Sequence, residues 1–242
     1  MNAFGVTDTG KVRAVNQDAF RIEFDSEAKR AILVLCDGMG GENAGEVAST
    51  EASESFLRYV SERIETKSIP TSELSREAAA YSNTRVYDRA VREDDCRGMG
   101  TTLVAAVIRG EEASVVNVGD SRCYWMSGGE IQQVTRDHSL VQEMVERGLI
   151  TSEEARSHPR KNIITRAVGS EPRIRSDVFH LLLSEGDKLL LCSDGLSNVV
   201  TEEELASLLR EREELPACAE ALLSLALERG APDNVTVVLF AF

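Results

Sequence analysis

The sequence is poor in the residues that cross-link small folds or bind polyanions. Of its 242 residues only five are proline and five are cysteine, and no two cysteines form a CxxC pair. Unpaired cysteines without a secretory signal predict a reducing compartment, so we expect a cytoplasmic protein. Acidic residues outnumber basic ones by 41 to 27, which gives a net charge of −14. Nucleic acid and anionic membranes are bound through Lys and Arg, so we expect neither partner.

The sequence also lacks long apolar segments and linkers. Its longest apolar run falls far short of the roughly 20 residues of a membrane span. The N-terminus shows no charged start followed by an apolar core, so we expect no signal peptide. No repeat, low-complexity tract or linker divides the chain. We therefore expect a monomer built from a single domain over residues 1–242.

Hydrophobic spacing predicts four helices, in two pairs. Apolar residues recur every three or four positions over 42–66, 72–92, 202–211 and 216–229. Pro70 breaks the first pair, and Thr71 and Ser72 after it are the predicted N-cap. Thr201 and Glu204 have the spacing of a capping box at the start of the second pair.

Between these helices the sequence shows short apolar runs joined by polar turns, such as TTLVAAVI, ASVVNVG, SRCYWMS, DKLLLCS and NVTVVLFAF. They predict antiparallel strands, and Gly128-Gly129 predicts a tight hairpin turn. The strands are so apolar that both sheet faces must be covered. We expect an α+β fold, a four-layer α-β-β-α sandwich of two antiparallel sheets flanked by antiparallel helix pairs. Residues 138–162 interrupt the strands and form either a flap over a site or a connecting helix.

Five aspartates stand at the ends of predicted strands: Asp18, Asp37, Asp120, Asp194 and Asp233. A single aspartate there is explained by a turn. If the strand ends meet, however, two carboxylates about 4 Å apart repel by about 4 kcal/mol at an effective dielectric of 20. Such a cluster either takes up protons or binds a cation, and oxygen ligands select magnesium or manganese over zinc.

Two such ions ~3.5–4 Å apart are suited to in-line attack on phosphorus by metal-bound water. Gly38, directly after Asp37, lets the backbone approach an ion, so its carbonyl is a candidate ligand. Arg13 lies five residues before Asp18, and its guanidinium can bind two oxygens of a phosphate.

Other phosphate chemistries do not fit. GVTDTGKV resembles a P-loop, but Val12 stands where the magnesium-binding Ser or Thr is needed. No cysteine has an arginine six residues downstream, and no G-x-S-x-G motif occurs. The three histidines, His138, His158 and His180, are not spaced as a zinc site.

Eight motifs in order resemble the metal-dependent protein phosphatase 2C family, especially its compact bacterial members. They are GVTDTGKVRAVNQDA, LCDGMGGENAGEVAS, GMGTTLVAAVI, VNVGDSRCYW, TRDHSLV, TRAVG, LCSDGLSNVV and APDNVTVVL. The resemblance runs from about Asn2 to Phe242. It implies a phosphoserine/phosphothreonine protein phosphatase that uses two Mn²⁺ or Mg²⁺ ions, with a possible third, and attacks phosphorus with a metal-bridging hydroxide. Its substrates would be targets of a serine/threonine kinase, or the kinase itself.

The resemblance also assigns roles to individual residues. Asp37, Asp194 and Asp233 would hold the first ion. Asp37 and the Gly38 carbonyl would hold the second, with Asp18 acting mainly through water. Asp120 and Asp194 would bind the third, and Arg13 would bind the substrate phosphate.

Two positions depart from the pattern of the animal members. Gln17 stands where they carry a glutamate ligand, and Met39 where they carry a histidine proposed as general acid. Methionine cannot transfer a proton, so we expect the leaving group to be protonated by water. Whether His138 or Arg166 assists stays open. The alternatives to a general phosphatase are a non-catalytic relative that binds phosphoproteins or a kinase, and a phosphatase dedicated to one regulatory protein.

Overall fold

The structure is a computed structural model that describes residues 1–40 and 44–242. The strands of this part of the chain are β1 (Asn2–Asp8), β2 (Asp18–Asp25), β3 (Arg30–Met39), β4 (Gly100–Thr101), β5 (Leu103–Arg109), β6 (Glu112–Val118), β7 (Arg122–Ser127), β8 (Glu130–Gln133), β9 (Asp177–Leu182), β10 (Lys188–Cys192) and β11 (Val235–Ala241). The helices are α1 (Ala44–Ser61), α2 (Thr71–Arg92), α3 (Leu140–Glu146), α4 (Ser152–Ser157), α5 (Asp194–Ser197), α6 (Glu202–Glu211) and α7 (Leu215–Glu228).

The strands form two sheets. One has the order β1-β11-β10-β7-β8, and the other has the order β2-β3-β5-β6-β9 with β4 paired to β3. Neighbouring strands in both sheets run antiparallel. This confirms the predicted sheet type.

Strand β3 divides its side chains between two cores. Ile32, Val34 and Cys36 pack with the buried faces of α1 and α2. Leu33 and Leu35 pack between the two sheets. The alternation follows from the period of two along a strand. A strand that is apolar at every position is therefore buried on both faces.

Strand β10 does the same in the other sheet. Leu190 and Cys192 pack with α6 and α7, whereas Leu189 and Leu191 enter the core between the sheets. The three cores establish the predicted α-β-β-α layering. Cys36 and Cys192 are core residues, and all five cysteines are free and buried.

Helix boundaries depart from the sequence prediction mainly at α1 and α2. The predicted start of the first helix at 42 lies outside the described residues, and α1 ends at Ser61, ahead of the predicted 66. Helix α2 begins at Thr71 with Pro70 as its N-cap residue, so the predicted cap by Thr71 and Ser72 is wrong. Pro suits this position because its missing N–H costs a helix start nothing.

The short-range signals were more reliable. Thr201 caps α6, with Glu204 completing the reciprocal capping box. Gly128 and Gly129 join β7 to β8 with φ angles of 57° and 85°, as a two-residue hairpin turn requires. Residues 138–162 contain the two short helices α3 and α4. Among the described residues, no helix combines the length and apolar character needed to cross a membrane.

Candidate metal centre

The candidate aspartates gather where the two sheets meet. Asp18 opens β2 and lies directly opposite Asp37 near the end of β3. Asp194 follows β10 as the first residue of α5. Burial raises the pKa of Asp37 most, and the negative charges of Asp18, Asp194, Asp120 and Asp233 all raise it further. The strand ends that the sequence singled out therefore share one electrostatic environment.

Asp18 is buried and connects the sheets. Its Oδ2 atom accepts hydrogen bonds from Ser193 Oγ at 2.8 Å and from Thr236 Oγ1 at 2.6 Å. Burial raises its pKa to about 7, against the lowering effect of these two bonds, and the charges of Asp194 and Asp233 raise it further. The other oxygen, Oδ1, is buried with no hydrogen-bond partner.

Thr102 holds the backbone of Asp37 through both the N–H and the carbonyl of Asp37. Its N–H donates to Thr102 Oγ1 and its carbonyl accepts from the Thr102 N–H, both at 2.9 Å. Burial is the main cause of its raised pKa. Gly38 follows in a cramped position, where an added Cβ would lie 2.0 Å from the Gly45 carbonyl oxygen and 2.7 Å from that of Gln17. Only glycine fits there.

Asp194 and Asp120 form the side of the cluster nearest residues 138–162. Burial raises the pKa of Asp194 to about 6 and that of Asp120 to about 8, and Asp194 also raises the pKa of Asp120. The positive charge of Lys161 acts in the opposite direction on Asp194. Asn198 Nδ2 donates to Asp194 Oδ2 at 3.0 Å, while Asp194 Oδ1 is buried without a partner.

Asp233 is paired with Arg13. Arg13 Nη2 donates to Asp233 Oδ2 at 2.7 Å, which joins residues 220 positions apart. The Arg13 side chain is 55% exposed, so its guanidinium remains open to a ligand from solvent. The pair brings the predicted phosphate-binding residue into direct contact with a predicted metal ligand.

The donor set fits a hard divalent cation. Its side chains offer oxygen only, and two oxygens, Asp18 Oδ1 and Asp194 Oδ1, are buried with no partner. Unpaired buried oxygens are costly, and a cation would satisfy them. As they are placed, no three His, Cys, Asp or Glu side chains of the described residues form a closed ion-binding group. Enclosing an ion therefore requires the carboxylates to change their placement.

A cavity of about 370 Å³ opens beside Asp120 and Asp194. It is lined by residues of α3 and α4 and by Lys161, Ser197, Asn198 and Glu202. Arg122 also lines the cavity and binds Asp137 through two hydrogen bonds, Nε–Oδ1 at 3.0 Å and Nη2–Oδ2 at 2.7 Å. Residues 138–162 therefore border the candidate site.

His138 does not offer a free nitrogen to a reacting group. The ring is buried, its Nδ1 lies 3.1 Å from the Gly119 N–H donor, and its Nε2 lies 3.1 Å from Asp177 Oδ2. Arg166 Nη1 donates to Asp177 Oδ1 at 2.9 Å. Both residues that the sequence left open thus take part in a hydrogen-bonded cluster at the base of residues 138–162.

Sequence reasoning missed the residues that support the cluster. Asn234 ties the loop carrying Arg13 to β11, because its Nδ2 donates to the carbonyls of Thr9 and Val15 and its Oδ1 accepts from the Gln17 N–H. Its position directly after Asp233 was the one feature of the sequence that could have identified Asn234 as a supporting residue. Ser193 and Thr236 carried no signal, since a hydroxyl is common both at a helix N-cap and in a strand.

Comparison with known proteins gives one family. The model of the family described as Protein phosphatase 2C matches residues 10–228. Serine/threonine phosphatase stp of Listeria innocua serovar 6a is 39% identical over 248 residues, covering 99% of this chain and 95% of that protein. Protein phosphatase PhpP of Streptococcus pneumoniae serotype 2 is 37% identical over 238 residues, with 97% and 94% covered.

Solved structures of serine/threonine phosphatases are also similar to this chain. Serine/threonine phosphatase Stp1 from Staphylococcus aureus superposes with a TM-score of 0.91 at 38% identity, covering 99% of this chain and 94% of that one. The catalytic domain of the serine threonine protein phosphatase PstP, in complex with 2 manganese ions, superposes with a TM-score of 0.87 at 34% identity, covering 98% and 96%.

Proposed function

The chain belongs to the protein phosphatase 2C family, and we infer that it is a metal-dependent enzyme that hydrolyses phosphoserine and phosphothreonine in proteins. The observation that carries this inference is the convergence of carboxylates from both sheets on one environment. Burial raises the pKa of Asp37, and the charges of all four other aspartates raise it further. Such a cluster is stable as a charged group only with cations bound.

We propose ligands for each ion. Asp37, Asp194 and Asp233 would hold the first, and Asp37 with the Gly38 carbonyl the second, where Asp18 acts mainly through water. Asp120 with Asp194 would hold a third. Mn²⁺ or Mg²⁺ fits because the donors are oxygen. When bound, the ions supply Lewis acidity towards the phosphate oxygens and lower the pKa of attacking water.

Arg13 binds and orients the phosphate in this proposal. Its partner in the structure, Asp233, is the carboxylate that must turn towards the cations. An incoming phosphate therefore replaces Asp233 at the guanidinium, and a planar guanidinium is well matched to two phosphate oxygens. Substrate binding and closure of the acidic cluster favour the same movement of Arg13.

We propose direct attack by water, with no phosphoenzyme, because the thiols near the cluster are not suited to act as nucleophiles. Cys36 and Cys192 are fully buried, and burial raises the pKa of Cys36 and raises that of Cys192 to about 12. Neither is a thiolate at neutral pH. The leaving oxygen takes its proton from water, since Met39 cannot donate one and both ring nitrogens of His138 are engaged.

The substrates we propose are proteins phosphorylated by a serine/threonine kinase, or that kinase itself. The five free cysteines favour the cytoplasm. We also propose that residues 1–242 act as one monomeric catalytic domain with 138–162 as its flap, which is supported by the cavity that this segment borders.

The test is hydrolysis of p-nitrophenyl phosphate and of a phosphothreonine peptide with Mn²⁺ present. We expect excess EDTA to abolish turnover, and Asp37→Asn and Asp194→Asn to lower kcat by about 10²- to 10³-fold, the range found when one charge-stabilising group is removed. Asp88→Asn, an exposed aspartate paired with Arg92, is the control and should retain full activity. Unchanged turnover with EDTA or in the two variants contradicts the proposal.

Comparison of the phosphoproteome with and without the gene separates a general from a dedicated phosphatase.

A further inference from the structure

The turn that carries Asp120 is held on its inner side by Thr102. Residues Gly119 to Ser121 connect β6 to β7. Thr102 Oγ1 lies 2.7 Å from Ser121 Oγ, and the same oxygen accepts the Asp37 N–H at 2.9 Å. Gly119 lies so close to Thr102 that an added Cβ would be 2.6 Å from its Cγ2 atom. The turn therefore packs rigidly against the residue that anchors Asp37.

On its other side the turn is held by His138. The Gly119 N–H donates to His138 Nδ1 at 3.1 Å, and the His138 N–H donates to the Gly119 carbonyl at 2.9 Å. Asn117 Nδ2 also donates to that carbonyl, at 3.2 Å. Both the amide and the carbonyl of the residue before Asp120 are thus held by one residue of the neighbouring segment.

These contacts determine the tautomer of His138. A backbone N–H can only donate, so Nδ1 must present its lone pair to Gly119. In a neutral ring the proton then lies on Nε2, which donates to Asp177 Oδ2 at 3.1 Å. Arg166 Nη1, 3.0 Å from Nε2, cannot donate to a protonated nitrogen and instead bonds Asp177 Oδ1. Burial lowers the pKa of His138, which favours this neutral form.

His138 is also the first residue of the proposed flap. The start of that segment pairs with the residues that follow it, since Thr165 N–H donates to the His138 carbonyl at 2.7 Å and Leu140 N–H to that of Ile163 at 2.8 Å. We call these paired residues, 138–140 and 163–165, the flap stem. One residue therefore bonds the flap stem through its carbonyl and the Gly119 peptide through its amide and ring.

We propose that His138 is a positioning residue that fixes the Gly119–Asp120 peptide to the flap stem through Nδ1, so that the Asp120 carboxylate and the flap are placed together. The consequence for Asp120 rests on the function proposed above. The positioning itself does not, because it concerns contacts within this chain that exist without metal or substrate.

Two substitutions separate this role from simple packing. In His138→Asn, the amide oxygen can take the place of Nδ1 and keep the acceptor for Gly119, while the contact with Asp177 is lost. In His138→Gln, the longer amide reaches Asp177 and leaves Gly119 without an acceptor. Each variant keeps a buried polar amide, so the pair is matched in size class and polarity.

The primary readout is hydrogen exchange of the Gly119 amide in the metal-free protein, measured by NMR. We expect exchange at least tenfold faster in His138→Gln and within threefold of the unmodified protein in His138→Asn. Tryptic cleavage within 138–162 should accelerate at least threefold in His138→Gln alone. In active enzyme, the Mn²⁺ concentration that gives half-maximal activity should rise in His138→Gln and stay unchanged in His138→Asn.

The proposal is overturned if Gly119 exchanges at the native rate in His138→Gln, or if both variants lose protection equally. If neither variant folds, the proposal is tested on the unmodified protein by NMR. The ¹⁵N shifts of the ring must show Nδ1 unprotonated and Nε2 protonated, and an Nδ1–H tautomer overturns the proposal. None of these readouts needs activity, so failure here is distinguishable from failure of the proposed function.

Discussion

Thr236 Oγ1 donates a 2.6 Å hydrogen bond to Asp18 Oδ2 and thereby joins β11 of one sheet to β2 of the other. The same threonine hydroxyl lies 2.7 Å from Thr7 Oγ1 in β1. The hydroxyl pair therefore links β1 and β11 of one sheet to a buried carboxylate on β2 of the other. The bond occupies one oxygen of Asp18 and leaves Oδ1 without a partner. Asp18 is thus both a structural link and a candidate ligand.

Thr236→Val should destabilise the protein by about 1–3 kcal/mol, because it removes a donor to a buried acceptor while keeping the side-chain volume. Urea unfolding of the metal-free protein measures this loss. Thr84→Val is the matched control, since the Thr84 hydroxyl bonds only the Ala80 carbonyl of its own exposed helix turn. It should change the unfolding free energy by less than about 0.5 kcal/mol. Equal losses in both variants would contradict a special role for the inter-sheet bond.

Without metal, stability should fall as pH rises from about 6.5 to 8. The pKa is raised to about 7 for Asp18 and to about 8 for Asp120, so in this window the folded chain holds protons that the unfolded chain has lost. The unfolding free energy then decreases with pH. His138 acts oppositely, since its lowered pKa removes stability only as pH falls below about 6.5.

Thermal unfolding in EDTA should show this fall as a decrease of several degrees in Tm. Saturating Mn²⁺ should remove it, because bound cations compensate the same charges. Asp120→Asn should flatten the decrease, as the neutral side chain no longer titrates. A Tm that rises between these pH values in EDTA would be inconsistent with buried, mutually repelling carboxylates.

Arg13→Ala should lower kcat/KM for a phosphopeptide by roughly 10- to 100-fold, the range expected for loss of charge-assisted hydrogen bonds worth about 1.5–3 kcal/mol. Its affinity for Mn²⁺ should not fall, because removing Arg13 frees Asp233 from a 2.7 Å ion pair. Steady-state kinetics and calorimetric titration measure the two effects. Arg21→Ala, which removes a surface ion pair with Glu54, is the control. Weaker Mn²⁺ binding in Arg13→Ala would show that Arg13 supports the metal site instead.

Gly38→Ala should destabilise the fold by about 3 kcal/mol or more and weaken Mn²⁺ binding, because its Cβ would lie 2.0 Å from the backbone oxygen of Gly45. Gly128→Ala provides the comparison. That glycine has open space around it and a φ of 57°, so alanine should cost only about 1 kcal/mol. Urea unfolding and Mn²⁺ titration of both variants distinguish a steric clash from backbone strain.

Local features of the fold were predictable because they depend on neighbours in sequence. The capping box of Thr201 and Glu204 and the Gly128-Gly129 turn each involve residues a few positions apart. Strand β1 was not predicted. It pairs with β11 across more than 200 residues, and its side chains are mostly half-buried, so its pattern is weak.

The sequence by itself determined the apolar strands, the helix pairs and the aspartates at strand ends, because these follow from local periodicity and residue chemistry. Only the tertiary structure decided how the ends meet: that Asp18 bonds Thr236, that Arg13 holds Asp233, and that His138 bonds Gly119. Each contact crosses between sheets, loops or segments far apart in the chain. Such contacts depend on how whole layers pack, which no local pattern encodes.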